Sequence, residues 1–148
     1  MSGTKEIPEV ATTLILTCMD YRFITLTAEY MREQGLTNKY YQLILAGASL
    51  GAVSPKVPAW NAAFWEQTAI AANDLMKENF RRVIIIDHRK CGAYELLLGP
   101  DCCTTRHDET EAHKRRLLEL GAEIGRKYPQ VSIDLLLMDM NGEIESFG

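Results

Sequence analysis

Apolar and polar positions along the chain follow two patterns: short continuous apolar runs, and longer stretches in which apolar residues recur at helical spacing. Residues 12–18 (TTLILTC) read as a first buried strand, and residues from about 24 to 34 as a helix ended by Gly35. Residues 41–46 (YQLILA) form a second strand. GASLGAVSPKVP then reads as a loop broken by two prolines. It leads into a helix over about 59–80, whose Trp60, Phe64, Ala71 and Leu75 make a stripe expected to pack on the sheet. In 82–87 (RVIIID) four consecutive apolar residues, three of them isoleucine, predict a central strand covered on both faces.

A second long helix is expected over 108–128, with Leu117, Leu120 and Ile124 on one face and Lys114, Arg115 and Arg116 towards a solvated one. Residues 131–140 form a fourth strand. Asn141-Gly142 ahead of EIES signals a two-residue hairpin into a fifth, antiparallel edge strand at the C-terminus. No repeat or linker separates these elements. Residues 1–148 are therefore expected to form a single α/β domain, a mostly parallel open sheet flanked by helices.

Composition agrees with that size and class: 148 residues, 47% hydrophobic and 24% charged, supply enough apolar surface for one core. Sixteen Lys and Arg against twenty Asp and Glu give a net charge of −4, which argues against a nucleic-acid partner. Residues 1–10 lack the apolar stretch of a signal peptide, and no run is long enough to span a membrane. A cytoplasmic chain with no membrane partner is expected. Four cysteines in that setting point to metal ligands, reactive thiols or core packing rather than to a disulfide framework.

In an open parallel sheet, ligands bind beyond the carboxyl ends of the strands where strand order reverses. Cys18 closes the first strand, with Asp20 and Arg22 just beyond it, and His88 and Cys91 follow the third. Two thiolates and an imidazole meeting there suit one Zn2+ per chain, with a fourth position open to a water whose pKa falls to about 7. Asp20 could take that fourth position or accept a hydrogen bond from the water. A bidentate pair with Arg22 would hold the carboxylate ionised and off the metal.

The motifs Cys18-Met19-Asp20-Tyr21-Arg22 and His88-Arg89-Lys90-Cys91-Gly92 resemble the C-x-D-x-R and H-x-x-C-G motifs of the β-class carbonic anhydrases, and the resemblance extends over the whole chain. It implies that Cys18, His88 and Cys91 ligate zinc and that Asp20 and Arg22 act as a gating dyad. It also implies reversible hydration of carbon dioxide to bicarbonate by a zinc-bound hydroxide, in a homodimer or higher homo-oligomer. The family usually has an N-terminal helical arm, whereas here eleven residues precede the first strand. Its common R-N-A-G is replaced by Ile44-Leu45-Ala46-Gly47, and its Gly before the His by Asp87. These changes leave the metal motifs intact and make the pocket more apolar. They keep open hydrolysis of carbonyl sulfide or carbon disulfide on the same zinc.

Other signals compete. Gly47-Ala48-Ser49-Leu50-Gly51 matches the nucleophile elbow of serine hydrolases, but a proline-broken loop stands where the elbow needs a helix. The expected role of these small residues is to let the loop lie close under the metal site, with backbone N–H groups free for a substrate oxygen. Cys102 or Cys103 as a fourth ligand would close the site and make a structural or redox-responsive zinc protein; both are expected to be packing or near-surface thiols instead. His107 and His113 are expected at the surface, outside the catalytic set. Tyr21 either lines the pocket or packs at the strand end.

Overall fold

In a computed structural model that describes residues 6, 7 and 10–148, five strands form one sheet in the order β2-β1-β3-β4-β5. They are β1 (Thr13–Thr17), β2 (Tyr40–Ile44), β3 (Arg82–His88), β4 (Ser132–Met138) and β5 (Ile144–Ser146). The first four are parallel, and β5 is antiparallel to β4 at the edge, as the apolar runs predict. The N-terminal segment, on which the expectation about a helical arm falls, lies largely outside the described residues.

Period two sorts the strand residues between two cores. Leu14, Leu16, Val83, Ile85 and Leu135 pack under α2 (Ser49–Val53), α3 (Pro58–Ala69) and α5 (Arg106–Lys127). Ile15, Ile84, Ile86, Leu136 and Met138 pack under α1 (Ile24–Glu33), against Phe23 and Met31. The remaining helix, α4 (Gly92–Leu98), follows β3 through Cys91. Helix α1 ends at Gly35 (φ +73°): the Gly35 and Leu36 amides close back on Arg32 and Met31, and Leu36 covers Met31. Among the described residues no helix is long and apolar enough to cross a membrane.

Three sequence expectations need correction. GASLGAVSPKVP contains α2, a single turn whose Ser49, Leu50, Gly51 and Ala52 are buried. The helix after it stays α only to Ala69 and runs as a π-helix over Ile70–Met76. The wider π turn advances fewer degrees per residue and shifts the buried face. Phe64 and Ala71 are inside as expected, but Leu75 is 53% exposed and Trp60 36% exposed, while Ala72 and Met76 are buried. The last hairpin is longer than two residues. Gly142 N–H bonds Asp139 C=O at 2.9 Å and Asp139 N–H bonds Glu143 C=O at 2.8 Å, with Gly142 at φ +89° forming a bulge.

Candidate metal centre

Strand order reverses between β1 and β3, and the site lies at their carboxyl ends. Thr17 pairs with Ile86, so Cys18, one residue past β1, reaches the level where β3 ends in His88. Cys91 then begins α4 as its N-cap residue. Donor atoms of Cys18, His88 and Cys91 all lie within 4.8 Å of one another, and the two sulfurs are 4.0 Å apart.

Two contacts fix the imidazole. Its ring stacks on Phe23, with centroids 4.2 Å apart, and Nδ1 donates to the Arg89 carbonyl at 2.7 Å. That bond leaves Nε2 without a hydrogen-bond partner although it is buried. A buried imidazole nitrogen left unpartnered beside two sulfurs is costly unless a ligand engages it. The donor set therefore fits a thiophilic divalent metal such as zinc.

The sulfurs are not equivalent. A hydrogen bond from Cys91, then the nearby His88 imidazole and the Gly47 N–H at 3.3 Å, hold the Cys18 thiol well below its ordinary range against the effect of burial. Cys91, bonded to that thiolate and buried, is pushed up. Burial alone would lower His88, but Cys18, the Arg89 carbonyl and Asp20 outweigh it and raise it.

Asp20 caps the short turn Tyr21–Phe23 and is gripped by Arg22. Arg22 Nε reaches Oδ1 at 3.0 Å and Nη2 reaches Oδ2 at 2.7 Å, while Nη2 also donates to the Lys90 carbonyl at 3.0 Å. Oδ2 lies 3.7 Å from His88 Nε2, at the edge of the cluster. Beside Cys18 opens a cavity of about 280 Å³, lined by Met19, Phe23, Ile24, Thr27 and Ile44 among others. The apolar pocket expected from Ile44 is present.

Other expectations change. Tyr21 is 82% exposed and does not line that cavity. No amide of 47–50 is free for a substrate oxygen: they bond Cys18 Sγ, Leu45 C=O, Asp87 Oδ1 and Gly47 C=O in turn. Ser49 does open a helix, contrary to the proline-broken reading, but it is fully buried with Oγ on Asp87 at 2.6 Å, so it presents no exposed nucleophile. Asp87 faces the α2 and α5 side, away from the cavity, and His113 is buried against it rather than at the surface. Cys102 and Cys103, adjacent in one tight turn, are disulfide-bonded to each other and stand outside the Cys18, His88 and Cys91 group. His107 is exposed.

Sequence reasoning missed Glu109, which bonds Arg89 Nη1 at 2.8 Å and the Lys90 amide at 2.7 Å and so braces the turn between His88 and Cys91. Lys90 at φ +56° is part of the same brace. No spacing signal connects Glu109 to that turn, because the contact is made only when α5 packs.

No family model matches the sequence. The chain is 36% identical to a protein of Rickettsia bellii over 135 residues, covering 91% of this chain and 80% of that one. A Rickettsia conorii protein is 32% identical over 137 residues, covering 91% and 71%. Both are described as uncharacterized proteins. Among solved structures, the fold is shared with two β-carbonic anhydrases of Aspergillus fumigatus. CafD superposes with a TM-score of 0.54 at 13% identity, over 93% of this chain and 89% of that one. CafA gives 0.55 at 15% identity, over 93% and 75%.

Proposed function

The chain belongs to one family with the two Rickettsia proteins, and from the site it carries we propose a zinc enzyme that reversibly hydrates carbon dioxide to bicarbonate. We place it in the cytoplasm, as one β-carbonic-anhydrase-like domain over residues 1–148. The observation that carries the reading is His88 Nε2, buried without a partner and grouped with the sulfurs of Cys18 and Cys91. These three residues would hold one zinc per chain. Zinc in such a set supplies a Lewis acid that brings the pKa of water down to about 7.

The chain's own residues do the rest. Arg22 keeps Asp20 ionised, donating to Oδ1 from its backbone N–H and Nε and to Oδ2 from Nη2, which holds the carboxylate beside the cluster rather than on it. From that place Asp20 would accept a hydrogen bond from the attacking water and so orient it. Phe23, Ile24 and Ile44 give an uncharged linear substrate an apolar approach. Met19, Ile24 and Ile44 line the cavity and are still exposed, an apolar rim that a second copy of the chain would cover in a homodimer or higher homo-oligomer.

Stopped-flow hydration of carbon dioxide, on protein whose zinc is counted by elemental analysis, tests the reading. Rapid turnover with about one zinc per chain is expected, lost with the metal in Cys91→Ala. Asp20→Asn should keep zinc and lose about 10²-fold or more in rate. One zinc with no hydration would overturn carbon dioxide as substrate. It would favour hydrolysis of carbonyl sulfide or carbon disulfide, a second reading that Ile44 at the cavity wall supports.

A further inference from the structure

Asp87 lies one residue before His88, yet the two side chains leave β3 on opposite faces. Its carboxylate is buried and accepts hydrogen bonds from four donors: Ser49 N–H at 3.0 Å on Oδ1, and on Oδ2 Ser49 Oγ at 2.6 Å, Tyr94 OH at 2.7 Å and His113 Nδ1 at 2.7 Å. Burying a carboxylate is expensive, and a well-packed apolar residue would hold the scaffold together at less cost.

The donors explain what such a group does here. Ser49 stands two residues after Gly47, whose amide meets Cys18 Sγ. Between them Ala48 adopts φ +46° and ψ −104°, a backbone that a side chain disfavours and that persists only where its surroundings fix it. Tyr94 stands three residues after Cys91, in the first turn of α4. His113 brings in α5, with its ring 3.7 Å from that of Tyr94. One carboxylate thus joins the three segments that carry Cys18's amide donor, His88 and Cys91.

We infer that Asp87 is a positioning residue for the metal site. It holds the Gly47 amide and the start of α4 in register with His88, so that the ligand set is assembled before a metal arrives. This rests on the metal reading proposed above. Asn in place of Asp87 keeps the shape but turns one acceptor oxygen into an N–H₂ group. No orientation of that amide can accept from both ends, so at least one of the donors is left unpaired.

The test uses the full chain and cobalt(II), which binds thiolate sites and colours them. Affinity is read by competition with a chelator, together with the thiolate-to-cobalt absorption band and thermal midpoints with and without metal. Asp87→Asn, folded by circular dichroism, is expected to bind cobalt about 10–100-fold more weakly and with an altered band. A merely structural role would lower both midpoints alike and leave affinity and band unchanged, which would overturn the inference. If Asp87→Asn does not fold, Tyr94→Phe removes one donor and keeps the ring. Weaker cobalt binding, by about tenfold, is expected of it, and unchanged binding would overturn the inference equally. No cobalt uptake by the unsubstituted chain would sink the metal reading and this inference together, whereas uptake that Asp87→Asn leaves unchanged would sink this inference alone.

Discussion

The Arg22 guanidinium meets the Asp20 carboxylate edge to edge, with one donor on each oxygen at 3.0 and 2.7 Å. Both ends of the pair are then tied to the site: Arg22 by the Lys90 carbonyl, Asp20 by its 3.7 Å approach to His88. A surface ion pair contributes little to stability by itself. Its consequence here is orientation and charge state.

That charge state gives a pH prediction. The hydrogen bond from the Arg22 side chain lowers the Asp20 pKa to about 2, against about 3.9 in an unfolded chain. A depressed native value means the pair stabilises the fold fully above the unfolded pKa and loses that contribution as pH falls from about 4 towards 2. Arg22→Gln should flatten this acid limb in urea unfolding of metal-free protein. An acid limb identical in the two proteins would show that the pair does not hold the carboxylate.

Metal uptake should release protons. In the metal-free site Cys91 is held protonated by the Cys18 thiolate and by burial, and His88 is raised by the same neighbour. Ligation requires both to be deprotonated, so roughly one to two protons should leave per metal near pH 7. Affinity should rise with pH until both groups are deprotonated in the free protein. Titration calorimetry in buffers of different ionisation heat measures the number, and a value of zero would show that Cys91 and His88 hold no proton in the metal-free site.

Gly47 should tolerate no side chain. It sits at φ +79°, and a β-carbon there would come within 3.3 Å of Leu50 Cβ and 3.4 Å of Ala93 Cβ. Gly47→Val should therefore cost about 1–3 kcal/mol by chemical denaturation. Its amide also serves Cys18, so metal affinity should fall with stability. Unchanged stability and affinity would mean that the loop has another way to reach the sulfur.

The sheet was legible because its signals are local: a short run with three isoleucines in β3 reads as a doubly covered strand, and Gly35 and Gly142 mark turns where the backbone takes a positive φ. The grouping of Cys18, His88 and Cys91 was legible because topology converts strand ends into neighbours. What escaped depends on packing between distant segments. Glu109 reaches the Lys90 turn, and His113 reaches Asp87, only once α5 lies on the sheet. No spacing rule marks either residue. Ser49 shows the same dependence: a proline-broken loop is the sequence ground for setting its nucleophile motif aside, but a helix does start there, and burial against Asp87 is what rules the nucleophile out.

The π segment makes the last case sharp enough to test. Helical spacing from Phe64 through Ala71 projects Leu75 onto the sheet, but the wider turn of Ile70–Met76 turns Leu75 outwards and seats Met76 in the core. Met76→Ala should then cost about 2–5 kcal/mol in urea unfolding, because it empties a packed site. Leu75→Ala should stay within about 0.5 kcal/mol. The opposite ranking would mean that the helix continues as α, with the phase its sequence suggests. The buried face of this segment would then be Trp60, Phe64, Ala71 and Leu75 after all.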